Sequence, residues 1–289
     1  MSLYQQSLIL LSLIAFAGNS ILCRLALADE SIDPVSFSLI RLISGALFLS
    51  ALIVMKGQST WSKPTTKSLA GAFSLFIYAF GFSLAYVSLP AGLGALLLFG
   101  FVQISMLSWA MLNKERFNLW QWGGFGIAVF GVTWLLYPHS QSAQMPITFS
   151  SVFSMIIAAV AWAAYTLIGK GARDPILETS QNFVWSTPFA MLAFALWFFH
   201  QGVNAEAVGI YLAIASGIIT SGIGYAIWYT VLPKLSVNVA ATLQLSVPVI
   251  AVLGGLLFLD ESITFDLVIS STAVLGGIFL VLKMKPSSS

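Results

Sequence analysis

Apolar residues in this chain neither alternate with polar ones nor keep to a single helical stripe. They run in blocks of about 20, broken by short polar phrases, and a helix of about that length crosses the hydrocarbon core of a bilayer. Ten blocks can be read: 5–27, 34–55, 68–89, 91–112, 118–138, 149–169, 178–199, 207–231, 237–259 and 264–283. The connections are short and hold most of the Lys, Asp, Glu and Pro residues. Strands of a membrane barrel would be about ten residues long and would alternate apolar with polar, which no segment here does. The pattern predicts an all-α integral membrane protein with ten transmembrane helices.

Two of the polar phrases echo each other. LNKERFNL (112–119) and FLDESITF (258–265) both lie between apolar blocks, and their glutamates, Glu115 and Glu261, are 146 positions apart. Aligned on them, ALLLFGFVQISMLSWAMLNKER (95–116) falls on ATLQLSVPVIAVLGGLLFLDES (241–262). YVSLP (86–90) echoes YTVLP (229–233), and GIAVFGVTWLL (126–136) echoes STAVLGGIFLV (271–281). Phe16 and Arg24 align with Trp162 and Lys170 at the same 146 spacing. The chain therefore reads as two five-helix repeats, residues 1–143 and 144–289. Five is odd, so the second repeat enters the membrane from the opposite side. Inverted repeats of this kind are typical of secondary transporters.

Charge supports the inversion and orients it. With the N-terminus cytoplasmic, the cytoplasmic loops and tail hold Lys56, Lys63, Lys67, Lys114, Arg116, Lys170, Arg173, Lys234, Lys283 and Lys285. The other side has only Arg24, at the edge of span one, while Arg41 lies inside span two. Lys and Arg favour the cytoplasmic side, so both termini are expected there. The change from Lys114 and Arg116 around Glu115 to Asp260 beside Glu261 follows from this bias. Charged residues make up 8% of the chain and hydrophobic ones 58%. A soluble domain carries about 25% charged residues, so most of this surface must face lipid. The N-terminus lacks a basic n-region, and the first span is expected to be retained.

At these residues the chain resembles the EamA-type family of the drug/metabolite transporter superfamily. AAVAWAAYTLIGKGA (158–172), LSVPVIAVLGGLLFLDESIT (245–264) and the last span around Gly276 and Gly277 carry the resemblance. Pro248, Leu259 and Glu261 fit the family pattern, whereas Val102 and Asn113 depart from it in the first half. The resemblance implies ten helices, a central cavity between the halves and alternating access. Family relatives export amino acids, amines or other metabolites, and some carry nucleotide sugars. It also favours a bacterial cytoplasmic (inner) membrane.

Polar groups within spans are costly and mark candidate sites. Arg41 lies about 10 Å into its span at 1.5 Å per residue. It either faces the cavity and binds a carboxylate or phosphate through its planar fork, or it is structural and pairs with Asp33 or Glu30. Arg24, followed by Asp29, Glu30 and Asp33, is either loop-paired or part of an outer gate, with Lys170 its inner counterpart beside Asp174 or Glu178. Asn19, Gln103 and Gln244 are mid-membrane amides and candidate cavity residues. Pro248 leaves the Gln244 carbonyl without its helical donor, and Pro188 does the same for Val184. Trp162, Tyr165, Trp185 and Tyr225, with Trp228 and Tyr229, could line a pocket that stacks an apolar or cationic substrate. Trp120 and Trp122 read as interfacial belt residues.

Other chemistry is missing from the sequence. It has no Gly-x-x-x-x-Gly-Lys-Ser/Thr loop for ATP and no His-Glu-x-x-His metal motif. The single cysteine, Cys23, precludes an internal disulfide. No cofactor, metal or catalytic set is expected, and no nucleic-acid partner. No Asp or Glu lies deep in a span, so facilitated diffusion or exchange is expected rather than carboxylate-mediated proton coupling. The sequence predicts a secondary transporter, monomeric or homodimeric, for a small organic metabolite, amino-acid-like or related. A cationic or aromatic amine exporter is the alternative cargo reading, and a non-transporting membrane scaffold the alternative class.

Overall fold

The computed structural model describes residues 3–59, 63–113, 118–136, 148–169, 172–231, 235 and 243–283. These residues form ten helices: α1 (Leu3–Ala28), α2 (Pro34–Met55), α3 (Thr66–Tyr86), α4 (Ala91–Leu112), α5 (Leu119–Leu136), α6 (Phe149–Gly169), α7 (Pro175–Gln201), α8 (Ala207–Val231), α9 (Ser246–Phe258) and α10 (Phe265–Lys283). Eight are long and apolar enough to cross a membrane, and α9 is a shorter apolar helix over its described length. Polar residues start several of them. Asp33 accepts from the Val35 and Ser36 amides before the helix-starting Pro34, Asp174 accepts from the Leu177 amide before Pro175, and Thr65 with Ser68 forms a capping box at α3. Each satisfies amide groups that a helix start leaves free.

The halves pack against each other in an exchange pattern. The α3–α6 contact has its counterpart in α1–α8, α4–α6 in α1–α9, and α3–α7 in α2–α8. The α2–α7, α4–α9 and α5–α10 pairs map onto themselves. Swapping the repeats thus reproduces these contacts, as an inverted repeat requires. Small residues bring the helices together. A methyl group at Gly124 would lie 2.6 Å from the Gly277 carbonyl, and one at Gly277 would press on the Gly124 carbonyl and the Ala128 amide. Large apolar side chains such as Leu47, Leu192, Tyr211 and Leu257 cover the perimeter, exposed to the lipid that a membrane protein of this kind meets.

One end of the bundle is tied across the halves. Asp33 donates its amide to the Asn204 carbonyl, Glu206 donates to the Ser31 carbonyl, and Ile32 bridges Ala205. Ser88 bonds Ser151 at 2.7 Å. Glu261 lies at this end too. At the opposite end, Lys67 and Glu178 approach to 3.9 Å with the lysine exposed and the glutamate half-buried, a geometry that adds little stability.

Candidate functional site

Arg41 sits at the centre of the bundle and is only 1% exposed. Its Nε donates to the Ser221 hydroxyl at 3.1 Å, and Nη2 reaches the Tyr78 hydroxyl at 3.4 Å. The guanidinium carbon lies 5.3 Å from the centre of the Tyr78 ring and 5.2 Å from that of Phe82. Nη1 is buried without a hydrogen-bond partner. Arg41 makes no salt bridge among the described residues, and Asp33 is occupied in capping α2. A buried cation of this kind has lost several kcal/mol of hydration. Neutral hydroxyls and ring faces, the latter about 0.5–2 kcal/mol each, return part of that.

Ser221 reaches Arg41 because α8 widens into a π-helix over Ser216–Ile223. The Gly224 amide donates to the Ile219 carbonyl, five residues back. π segments inside α-helices recur at functional sites. This one turns Ser216 and Thr220 onto Asn19, whose Oδ1 accepts from both at 2.6 and 3.1 Å. Gly217 lies against α2, where a methyl group would run into the Arg41 carbonyl and the Ser44 hydroxyl. α1, α2 and α8 therefore meet in a buried polar seam.

Aromatic rings extend the seam toward the second half. Tyr78 lies 4.6 Å from Trp162, and Trp162 lies 5.4 Å from Tyr165 and 5.5 Å from Tyr225. Tyr225 also meets Phe16 and Phe183 edge-on. The Tyr165 hydroxyl reaches Thr179 at 3.5 Å. A fixed cation beside a wall of rings can take an anionic head and an apolar body together.

The EamA-like transporter family model matches this chain twice, over residues 4–137 and 149–283. The chain belongs to the EamA-like transporter family. This EamA-like transporter is 42% identical over 275 residues to an uncharacterised protein of Pseudomonas aeruginosa, PA1977, covering 95% of this chain and 93% of that one. It is 27% identical to the uncharacterised transporter YwfM of Bacillus subtilis, over 83% and 81% of the two chains. A probable amino-acid metabolite efflux pump of Escherichia coli is 24% identical over 70% and 71%. A crystal structure of a protein with 20% identity superposes with a TM-score of 0.65 over 94% of this chain and 96% of that one, which establishes the shared fold.

In this EamA-like transporter, Arg41, Trp162, Tyr165 and Tyr225 come together, and Asn19 joins them through α8. Gln103 is buried on α4, and Gln244 is half-buried just before α9; the cluster's hydrogen bonds do not run through either. Trp185 is half-buried on α7, and Pro188 faces outward on a helix that runs on to Gln201. Pro248 is buried in the first turn of α9, directly after a turn at Leu245. Lys170 and Glu115 lie outside the described residues. Tyr78, Ser221 and the π segment were missed in the sequence. The available signal was a pair of Ser-Gly steps five residues apart, Ser216-Gly217 and Ser221-Gly222.

Arg24 reaches the end of α3 and the acid of the other repeat, with Asp29 acting on it from its own loop. Its Nη1 donates to the Tyr86 and Val87 carbonyls at 3.0 and 2.8 Å, and Nε lies 3.6 Å from Glu261. The Ala91 amide donates to both Glu261 oxygens, at 2.8 and 2.9 Å. Burial pushes the Glu261 carboxyl above the ordinary carboxylate range, and the Ala91 amide and Arg24 pull it back only in part. A shallow apolar groove of about 410 Å³ on the flank, lined by Val35, Phe80 and Trp197, holds none of these groups.

Proposed function

We propose that this transporter carries a small carboxylate-bearing organic metabolite, amino-acid-like, by alternating access and without ATP. The observation that carries this reading is Arg41: buried, free of any salt bridge among the described residues, and with Nη1 unsatisfied. A substrate carboxylate would supply the missing anion, in a bidentate pairing that suits a guanidinium. The rings of Trp162, Tyr165 and Tyr225 would take the side chain. The Escherichia coli relative named as a probable amino-acid metabolite efflux pump supports the same class. An amine cargo fits less well, because a cation stacked on Tyr78 would meet Arg41 on the same ring.

Transport then proceeds as the halves rock, with Arg24 gating one end and Lys170 the other. The excess of Lys and Arg on one side supports cytoplasmic termini, and the family supports a bacterial inner membrane. No deep carboxylate is available as a proton relay, so exchange or facilitated diffusion is the expected mode.

Counterflow of labelled amino acids into proteoliposomes tests the cargo. Arg41→Ala should weaken apparent affinity about 10–100-fold, the worth of hydrogen bonds to a charged group, while the protein stays folded. Arg41→Lys should recover only part of it, since an ammonium lacks the fork. Undiminished transport by Arg41→Ala would remove Arg41 from the site.

A further inference from the structure

Helix α4 begins without a cap of its own. Its N-cap is Pro90, whose side chain makes no hydrogen bond to the helix. A helix start leaves amides unpaired and carries a partial positive charge. Here the missing group comes from the other repeat: Glu261 takes the Ala91 amide on both oxygens. The C-terminal end of α3, only a few residues earlier, has the opposite polarity, and Arg24 of α1 takes its Tyr86 and Val87 carbonyls. The two charges then face each other at 3.6 Å. One clamp thus joins α1, α3 and α4 to the α9–α10 connection, and each sign sits on the helix end that attracts it.

The segment that delivers Glu261 is shaped for this contact. Asp260 adopts the left-handed backbone conformation, with φ of 51°, uncommon for a residue with a side chain. The Glu261 amide turns back to the Gly255 carbonyl at 3.1 Å. Gly255 leaves room for the carboxylate, since a methyl group there would press on Glu261 Oε2. Around the clamp the other charged or titratable groups are Tyr86 of α3, the neighbouring Asp260, and Asp29 and Cys23, which act on Arg24.

We propose that the Glu261–Ala91–Arg24 clamp is the lock that holds this end of the transporter shut, and that it must part for the end to open. This rests on the alternating-access reading but not on the identity of the cargo. Its function is to position: Glu261 touches no substrate and sets the balance between shut and open forms.

Spin labels at Val87 and Ser262, both exposed beside the clamp, report the opening in detergent or nanodiscs without any substrate, in a Cys23→Ala background. At a fixed pH the unaltered clamp should give mainly a short distance. Glu261→Ala should add a longer population. Gly255→Ala keeps every charge but displaces the carboxylate, and should shift the distribution the same way to a smaller extent. Folded variants whose distances match those of the unaltered clamp at the same pH would overturn the lock. Loss of folded protein in both variants would overturn it too, because the clamp would then belong to the fold and not to the gate. Failure of carboxylate binding with an intact distance response would instead count against the cargo reading alone.

Discussion

Arg41 is held by neutral partners, and the closeness of α2 to α8 is what delivers them. Gly217 packs on the Arg41 carbonyl with no room for a methyl group, whereas Gly126 of α5 has open space around it. Gly217→Ala should therefore push the π segment off α2 and withdraw Ser221 from the guanidinium. Overpacking of this kind costs about 1–3 kcal/mol, so the melting temperature should fall clearly. Gly126→Ala should leave it unchanged or slightly raised. Equal melting of the two variants would contradict the close seam. At this scale the sequence announces Arg41, because a charge inside an apolar run is conspicuous. It hides Tyr78 and Ser221, since a tyrosine among phenylalanines and a serine beside a glycine resemble ordinary helix packing until a third dimension brings them to Arg41.

The elements were largely legible because each apolar block is long and its ends carry Pro, Asp or Thr in starting positions. Two features were not. The π-helix in α8 goes with bonds from Ser216, Thr220 and Ser221 to Asn19 and Arg41 on other helices, which no local propensity predicts. The cap of α4 comes from a residue 170 positions away, although the echo between Glu115 and Glu261 singled out that residue. The cap has a pH consequence. Burial raises the Glu261 carboxyl above its ordinary value in the shut form, despite Ala91 and Arg24. A group with a higher pKa in one form binds its proton more tightly there, so falling pH favours that form. A protonated carboxyl still accepts the Ala91 amide through its carbonyl oxygen. The Val87–Ser262 distance should therefore grow shorter on average as pH falls through the raised pKa, and longer as pH rises through it. Glu261→Ala should abolish this dependence. A distance that lengthens on acidification would contradict the assignment.

For the whole molecule, the inverted repeat accounts for both the architecture and its asymmetry. Exchange of the halves reproduces the main contacts between them, yet Arg41 and the rings against it, Tyr78 and Phe82, lie in the first repeat, while Ser221, Trp162 and Tyr225 come from the second. The centre is thus shared, and motion between the halves would open or close it. The most direct measurement is the melting temperature of the purified transporter against matched ligands: an amino acid, its amide and its decarboxylated amine. A ligand that binds only the folded form stabilises it by RT ln(1 + [L]/Kd). A carboxylate site at Arg41 predicts a rise with the amino acid, little or none with the amide and the amine, and loss of the rise in Arg41→Ala. A rise with the amine that survives Arg41→Ala would contradict it and give the ring wall to a cationic cargo.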